Sequence, residues 1–260
     1  MSRIKTTFSQ KNKVLISYIC AGYPDIDTTL SLMNILANNG TDIIELGVPF
    51  SDPMADGPII QRATQCAVEN GVTLNDVLAI VAKFRQNNSH TPVVLMGYLN
   101  PILRMGYEKF AQTASKSGVD GVLTVDCPAE YIDSLAIFLK QYKISPIFMI
   151  APTTETERIQ NIANKADGFI YCVSLKGVTG SIHLDTNEVA KRISLLRQYT
   201  KLPIAVGFGI KTAEDAQRIA SVADGIVVGS SFVQLIEQSS ENILDAVADF
   251  SGRLKNAIKL

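Results

Sequence analysis

The sequence predicts a single (β/α)8 barrel, the TIM-barrel architecture, with residues 1–260 forming one domain. Eight short apolar runs rich in β-branched residues recur along the chain, and segments with helical periodicity separate them. Most runs are continuous rather than alternating, which is typical of parallel strands buried on both faces. No linker, low-complexity segment or shift in composition divides the chain. A doubly wound open sheet is the alternative, but no GxGxxG follows the first run and eight units close more readily into a barrel.

The chain begins with a short segment that lies outside the eight βα units. Ile4 and Phe8 are four residues apart, so one face of a short extra helix would carry both and close the bottom of the barrel. The predicted strands follow, and their first residues are Val14, Asp42, Pro92, Gly121, Pro146, Gly168, Pro203 and Gly225. These starts are 22 to 35 residues apart, except for a gap of about 50 residues after the second strand. We therefore expect an insertion there, and it begins PFSDPMADGPIIQ.

Several of the intervening segments have recognisable helix ends. Asp27 is a candidate N-cap for the helix after the first strand, and Gly40 is a candidate end of that helix. Pro128 suits the first position of the helix after the fourth strand. The apolar face of that helix carries Ile132, Leu135, Ala136 and Leu139. Asp-Gly turns join helix to strand at 120–121, 167–168 and 224–225, which indicates a faint repeat of the αβ unit.

Composition excludes several classes of protein. Hydrophobic residues make up 47% and charged residues 19% of the chain, which excludes a disordered protein and a coiled coil. The 24 Lys and Arg residues nearly balance the 25 Asp and Glu residues, so we expect no nucleic-acid or membrane partner. The four cysteines form no CxxC and the two histidines are far apart, which predicts free, buried thiols and no metal site. Because residues 1–13 lack the apolar core of a signal peptide, we expect a cytoplasmic protein, or a plastid-stroma protein if the gene is organellar.

The second strand and the loop after it, ELGVPFSDPMADGP, carry the first candidate site. Strand alternation places Ile43 and Glu45 on one face and Ile44 and Leu46 on the other. If the second pair packs against helices, Glu45 points into the barrel near its mouth, where chemistry occurs in such barrels. Burial there would raise the pKa of Glu45 towards values useful for proton transfer, although pairing with Arg or Lys is the alternative. Asp56 lies in the Pro- and Gly-rich loop, which is either a mobile lid or a turn.

Glycine clusters follow the seventh and eighth strands, GFGI at 207–210 and VGSS at 228–231. Glycine lets backbone N–H groups approach an anion, and a helix beginning at Ser230 adds further donors. Barrels commonly bind phosphate at these two loops, so we expect a phosphate site here. After the sixth strand, YCVSLKGVTGSIH is a candidate lid and anion contact that includes Gly180. Tyr171 in that strand is either a cavity residue or a core tyrosine bonded to a neighbour.

Five motifs, ELGVPFSDPMADGP, LMGYLNPI, YCVSLKGVTG, GFGI and VVGSS, in this order, resemble the alpha subunit of tryptophan synthase. The resemblance runs from about Thr7 to the C-terminus without a large insertion. The strand 2 motif is highly specific, whereas the glycine motifs also occur in other phosphate-binding barrels. The resemblance implies a lyase of tryptophan biosynthesis. Its reaction would be the retro-aldol cleavage of indole-3-glycerol phosphate to indole and glyceraldehyde 3-phosphate.

The same resemblance implies roles for particular residues. Glu45 and Asp56 occupy the two acid–base positions of the family. Glu45 would protonate indole C3 and accept the proton of the glycerol hydroxyl, and Asp56 would accept the indole N–H. The positions that match the family's phosphate contacts are Gly180, Gly209, Gly229 and Ser230. The positions that match its cavity residues are Tyr18, Tyr171 and Phe208.

The resemblance also implies a partner and leaves alternatives. The expected partner is a tryptophan synthase beta subunit in an alpha2-beta2 heterotetramer. Pyridoxal phosphate would belong to the beta subunit, and this chain would hold no cofactor. Two positions depart from the family pattern, because Leu175 replaces an arginine that many relatives carry and Tyr18 replaces a phenylalanine. Indole-3-glycerol phosphate synthase and phosphoribosylanthranilate isomerase are rival barrels, but the spacing of Glu45 and Asp56 argues against both. A stand-alone lyase and a catalytically inactive, indole-channelling subunit remain as alternatives.

Overall fold

The barrel is closed, as the computed structural model of residues 2–173, 186–207, 209–239 and 242–259 shows. Each parallel strand pairs with the next one in the chain, and the eighth pairs with the first. This confirms the predicted (β/α)8 fold and all eight predicted strands. The strands are β1 (Val14–Cys20), β2 (Ile43–Gly47), β3 (Val93–Gly97), β4 (Gly121–Thr124), β5 (Ser145–Ile150), β6 (Ile170–Val173), β7 (Ile204–Gly207) and β8 (Gly225–Val228).

Helices surround the barrel, and one of them follows each strand on the outside. In the described residues they are α1 (Arg3–Gln10), α2 (Ile26–Asn38), α3 (Pro58–Glu69), α4 (Leu74–Asn87), α5 (Leu99–Met105), α6 (Tyr107–Ser117), α7 (Asp133–Gln141), α8 (Thr156–Lys165), α9 (Thr186–Leu196), α10 (Ala213–Ala220), α11 (Ser230–Gln238) and α12 (Ile243–Ala257). Four are additional to the eight βα units: α1, α3, α5 and α11. Within these described ranges, each helix is too short or too polar to cross a bilayer.

The predicted N-terminal helix closes the bottom of the barrel. The Ser2 side chain caps α1 by accepting a hydrogen bond from the Lys5 backbone N–H. Ile4 is fully buried in a cluster of side chains from the barrel interior, and Phe8 packs against that cluster. The rings of Phe8 and Phe169 lie 5.7 Å apart between centroids. The contact between α1 and the strands therefore seals the end of the barrel that lies opposite the strand C-termini.

Two predicted helix starts are wrong. The N-cap of α2 is Asp25 rather than Asp27, because the Asp25 carboxylate accepts a hydrogen bond of 2.7 Å from the Thr28 backbone N–H. Asp27 lies inside the first turn, and Gly40 follows the end of α2 in the left-handed region, as predicted. The helix after β4 begins at Asp133 rather than at Pro128, because the Pro128 carbonyl accepts from the Tyr131 N–H in a separate turn.

The insertion after β2 is confirmed as an additional helix, α3. Pro58 occupies its first turn, where the missing N–H of proline leaves no helical bond unmade. A second additional helix, α5, follows β3 over residues that the sequence analysis did not assign to a helix. Asn100 and Pro101 lie in the first turn of α5, at the C-terminal end of the barrel.

Carboxylates at the bottom of the barrel fix the strand starts. Asp42, Asp120 and Asp224 come directly before β2, β4 and β8. Each accepts a backbone hydrogen bond of 2.7 to 2.9 Å from the start of the preceding odd-numbered strand. Each also pairs with a cation from the surrounding helical layer, and these cations are Lys255, Arg85 and Arg197. Two of the three Asp-Gly turns, at 120–121 and 224–225, therefore lie on this bottom face, away from the strand ends that form the mouth.

Candidate active site

Glu45 points into the barrel from β2, as the strand alternation predicts. Ile43 belongs to the interior cluster, whereas Ile44 and Leu46 pack in the layer between strands and helices. Glu45 is 1% exposed, and its buried Oε1 atom has no hydrogen-bond partner among the described residues. Burial raises the pKa of Glu45 from 4.5 to about 8. The carboxyl group is therefore protonated near neutral pH and can both donate and accept a proton there.

A cavity of about 290 Å³ opens at the C-terminal ends of the strands, with Glu45 in its wall. Its wall is mainly apolar and carries a few polar groups, which is typical of sites for small organic ligands. The strands contribute Tyr18, Glu45, Met96, Tyr171 and Val227, and the following loops and helices contribute Gly57, Pro58, Ile59, Ile60, Gly209, Ile210, Lys211, Gly229 and Ser230.

Tyr18 and Tyr171 line the same cavity as Glu45. Tyr18 on β1 is the register partner of Glu45 on β2, and the two tyrosines are 5% and 9% exposed. Each hydroxyl lies against a glycine at a strand end: a Cβ atom on Gly47 would be 2.2 Å from the Tyr18 hydroxyl, and one on Gly207 would be 2.3 Å from the Tyr171 hydroxyl. Burial raises the pKa of both phenols well above 10, and the charge of Glu45 acts in the same direction.

Asp56 lies at the rim and is outside the set of described residues that line the cavity, although the next residue, Gly57, belongs to that set. The Tyr98 hydroxyl donates a hydrogen bond of 3.1 Å to Asp56 Oδ2 and accepts one of 3.0 Å from the Ala55 backbone N–H. Burial raises the pKa of Asp56, and the bond from Tyr98 opposes that rise. The structure thus holds Asp56 beside the cavity and separate from Glu45.

Tyr98 is a site residue that the sequence analysis did not identify. It follows β3 directly, is buried, and packs its ring 5.3 Å from that of Phe50 in the loop after β2. Burial raises the pKa of Tyr98 to about 12, so the phenol stays neutral and holds the loop by hydrogen bonds. Its position in LMGYLNPI, directly after a barrel strand, is the feature of the sequence that could have identified it as a site residue.

The loops after β7 and β8 converge on one side of the cavity. Gly209 has φ +82°, a backbone conformation that side chains rarely adopt, and Gly229 is the N-cap of α11. The Ser231 hydroxyl joins the two loops by donating a 2.7 Å hydrogen bond to the Ile210 carbonyl. Free N–H groups in the first turn of α11, beginning at Ser230, suit an anion. Lys211, which the sequence analysis also missed, adds an exposed cation to the same wall.

Three residues named from the sequence, Gly180, Phe208 and Leu175, lie outside the described residues. In the described part of the chain, His, Cys, Asp and Glu residues form no group of three or more that could hold a metal ion. All four cysteines are free, and three are buried, whereas Cys66 in α3 is only half-buried.

Comparisons with known proteins agree with this geometry. A family model described as "Tryptophan synthase alpha chain" matches residues 4–259. A tryptophan synthase alpha chain of Neisseria gonorrhoeae is 56% identical and covers 100% of both chains. That of Thiobacillus denitrificans is 54% identical over 93% of this chain and 90% of its own length. The crystal structure of tryptophan synthase subunit alpha from Legionella pneumophila superposes with a TM-score of 0.93 at 40% identity, covering 99% of this chain and 98% of that chain.

Proposed function

The chain belongs to the tryptophan synthase alpha chain family, and we infer from this membership that it is a lyase acting on indole-3-glycerol phosphate. The reaction releases indole and glyceraldehyde 3-phosphate in the last steps of tryptophan biosynthesis. On this chain's own residues, the inference rests on the buried carboxyl of Glu45 in the wall of an apolar cavity, where Oε1 has no hydrogen-bond partner among the described residues.

The cleavage needs one proton to leave a hydroxyl and one to arrive at carbon, and we propose that Glu45 handles both. The protonated carboxyl donates its proton to C3 of the indole. The carboxylate then accepts the proton of the hydroxyl on the adjacent chain carbon, a carbonyl forms, and the electron pair of the breaking C–C bond moves into the ring. Glu45 ends in its starting state, so atoms and charge balance. A pKa of about 8 suits a group that donates and accepts in the same turnover.

Asp56 is the proposed acceptor for the indole N–H. A carboxylate at that position would stabilise the ring while C3 gains its proton. Because Asp56 is held at the rim by Tyr98, this role requires the loop at 53–58 to move towards the cavity. We propose that this loop movement occurs in each catalytic cycle.

The phosphate would bind where the loops after β7 and β8 meet. Gly209, Gly229 and Ser230 line this side, and α11 begins there. Lys211 supplies a positive charge near the same wall. Gly180 is proposed as a further phosphate contact. Tyr18, Tyr171 and Phe208 are the proposed residues around the indole ring and its glycerol chain.

A beta subunit is the proposed partner, and an alpha2-beta2 heterotetramer is the proposed assembly. Two large apolar side chains are exposed at the mouth: Met54 in the loop after β2, at 82%, and Leu103 in α5, at 55%. Exposed apolar groups of this kind are typical of interaction surfaces. Pyridoxal phosphate would belong to the beta subunit, which would join indole to serine. Docking at this face would order the loop at 53–58 and bring Asp56 to the indole.

The bacterial relatives support a cytoplasmic location.

Incubation of the purified chain with indole-3-glycerol phosphate, with and without a cognate beta subunit, tests this function. We expect slow indole release by the chain alone and at least about tenfold faster release with the partner, equivalent to roughly 1.4 kcal/mol of barrier. Replacing Pro53 and Asn100 by Asp should abolish the activation, whereas Gln198→Glu on an exposed site beyond α9 should not. Full activity of the isolated chain would favour a stand-alone lyase, and absence of cleavage in both conditions would favour an inactive channelling subunit.

A further inference from the structure

The Tyr18 hydroxyl is a second buried polar group in the cavity wall, and the acid–base steps above do not use it. Tyr18 lies beside Glu45 in the register of β1 and β2 and is 5% exposed. Its hydroxyl makes no hydrogen bond with the residues that the structure describes. Because Tyr18 lines the cavity, a ligand that fills the cavity can bring a hydrogen-bond partner to this hydroxyl.

The ring of Tyr18 lies between Gly229, in the cavity wall, and Gly47, at the end of β2. Its Cβ, Cδ1 and Cγ atoms lie 3.4 to 3.6 Å from where a Cβ atom on Gly229 would stand. Its hydroxyl lies 2.2 Å from the equivalent position on Gly47, at the end of β2. The ring therefore runs from the loop proposed for the phosphate to the strand that precedes the Asp56 loop. Gly47 leaves room for the hydroxyl because any side chain there would collide with it.

The substrate of the proposed function has the same order of parts. The phosphate is at one end, the indole ring is at the other, and the glycerol chain between them carries two hydroxyls. Tyr18 is the register partner of Glu45, so its hydroxyl is placed to meet the chain beside the carbon on which Glu45 acts rather than the phosphate. Because burial raises the pKa of Tyr18 well above 10, its phenol remains neutral and can donate a hydrogen bond without ionising.

We propose that the Tyr18 hydroxyl forms a hydrogen bond with a hydroxyl of the substrate's glycerol chain and so holds the reacting carbon against Glu45. This inference rests on the proposed function and adds a residue that selects for a hydroxylated chain. A site built to bond a hydroxyl discriminates against an analogue that lacks it, because the site's own polar group is then left unpaired.

The test measures two affinities in each of two variants by calorimetry. Both variants carry Glu45→Gln, so that the substrate binds without being cleaved. One of them also carries Tyr18→Phe. The ligands are indole-3-glycerol phosphate and the analogue in which the two chain hydroxyls are replaced by hydrogen. Tyr18→Phe should weaken binding of the substrate about five- to tenfold, the range expected for one hydrogen bond, and change binding of the analogue less than about twofold. Tyr142→Phe, at the end of α7, should change neither affinity.

Equal weakening for both ligands would overturn the proposal, because it would show that the phenol only packs against the ligand. Unchanged affinity for both would overturn it as well, because the hydroxyl would then have no partner in the substrate. Retained binding of the analogue also shows that the Tyr18→Phe site is folded. A different result would show that the proposed function itself is wrong. In that case the unaltered chain would release no indole from indole-3-glycerol phosphate, even with the beta subunit.

Discussion

Glu45→Gln should change how the stability of the barrel depends on pH. The carboxyl is buried, and no group in the described part of the chain hydrogen-bonds its Oε1 atom. Its pKa is about 8 in the folded chain against 4.5 without burial. Between these two values the folded chain keeps the proton and the unfolded chain has lost it. Because the unfolded state binds fewer protons in this window, the free energy of unfolding falls as pH rises, by about 1.4 kcal/mol per pH unit.

The magnitude follows from the two pKa values. From about pH 5 to about pH 8.5 this one group should remove roughly 4 kcal/mol from the stability of the unaltered chain. Glutamine has nearly the same size and does not ionise, so the variant lacks this loss. The difference in stability between Glu45→Gln and the unaltered chain should therefore grow in favour of the variant as pH rises. For a chain of this size, the growth corresponds to roughly 10 °C in Tm.

Thermal unfolding followed by circular dichroism over this pH range measures the difference. Glu108→Gln, on the exposed side of α6, is the matched control and should give a curve parallel to that of the unaltered chain. If the Glu45→Gln curve were also parallel, the carboxyl would ionise normally in the folded chain. Its proposed role as a proton donor near neutral pH would then be refuted.

Other substitutions test other parts of the structure. Ser230→Asp places a negative charge at the first turn of α11, so calorimetry with inorganic phosphate should show at least about tenfold weaker binding; unchanged binding would move the phosphate site elsewhere. Lys255→Met leaves the largely buried carboxylate of Asp42 without its ion pair. Urea titrations should show a free energy of unfolding lower by roughly 3 kcal/mol. A loss within the error of the titration would show that the pair contributes little. Tyr98→Phe removes both hydrogen bonds that hold Asp56 at the rim, so indole release by the chain alone should become about threefold faster with phosphate affinity unchanged. Unchanged release would show that these bonds do not restrain the loop.

The strands and the inward direction of Glu45 could be predicted because both depend on local pattern. Continuous apolar runs at a regular spacing specify buried parallel strands, and the two-residue period of a strand decides which side chains face the barrel. Ile43 and Glu45 had to share a face whatever the rest of the chain does. The N-terminal helix was predictable for the same reason, because Ile4 and Phe8 define one apolar face.

The helix starts and the rim of the cavity depend on contacts that local pattern does not specify. Asp25 and Asp27 are both good N-cap residues, and only the path of the chain after β1 decides that Asp25 bonds the Thr28 N–H. Tyr98 holds Asp56 across 42 residues of sequence, so its role emerges only when β3 is placed beside β2. The position of Asp56 outside the cavity follows from this long-range bond and was not visible in the sequence.

The proposed reaction depends on the buried carboxyl of Glu45 to move the proton in cleavage. The rate of indole release from indole-3-glycerol phosphate, with a cognate beta subunit present, should therefore be compared between the unaltered chain and Glu45→Gln. We expect a rate at least about 10²-fold lower for Glu45→Gln, with substrate affinity retained. A rate close to that of the unaltered chain would contradict it.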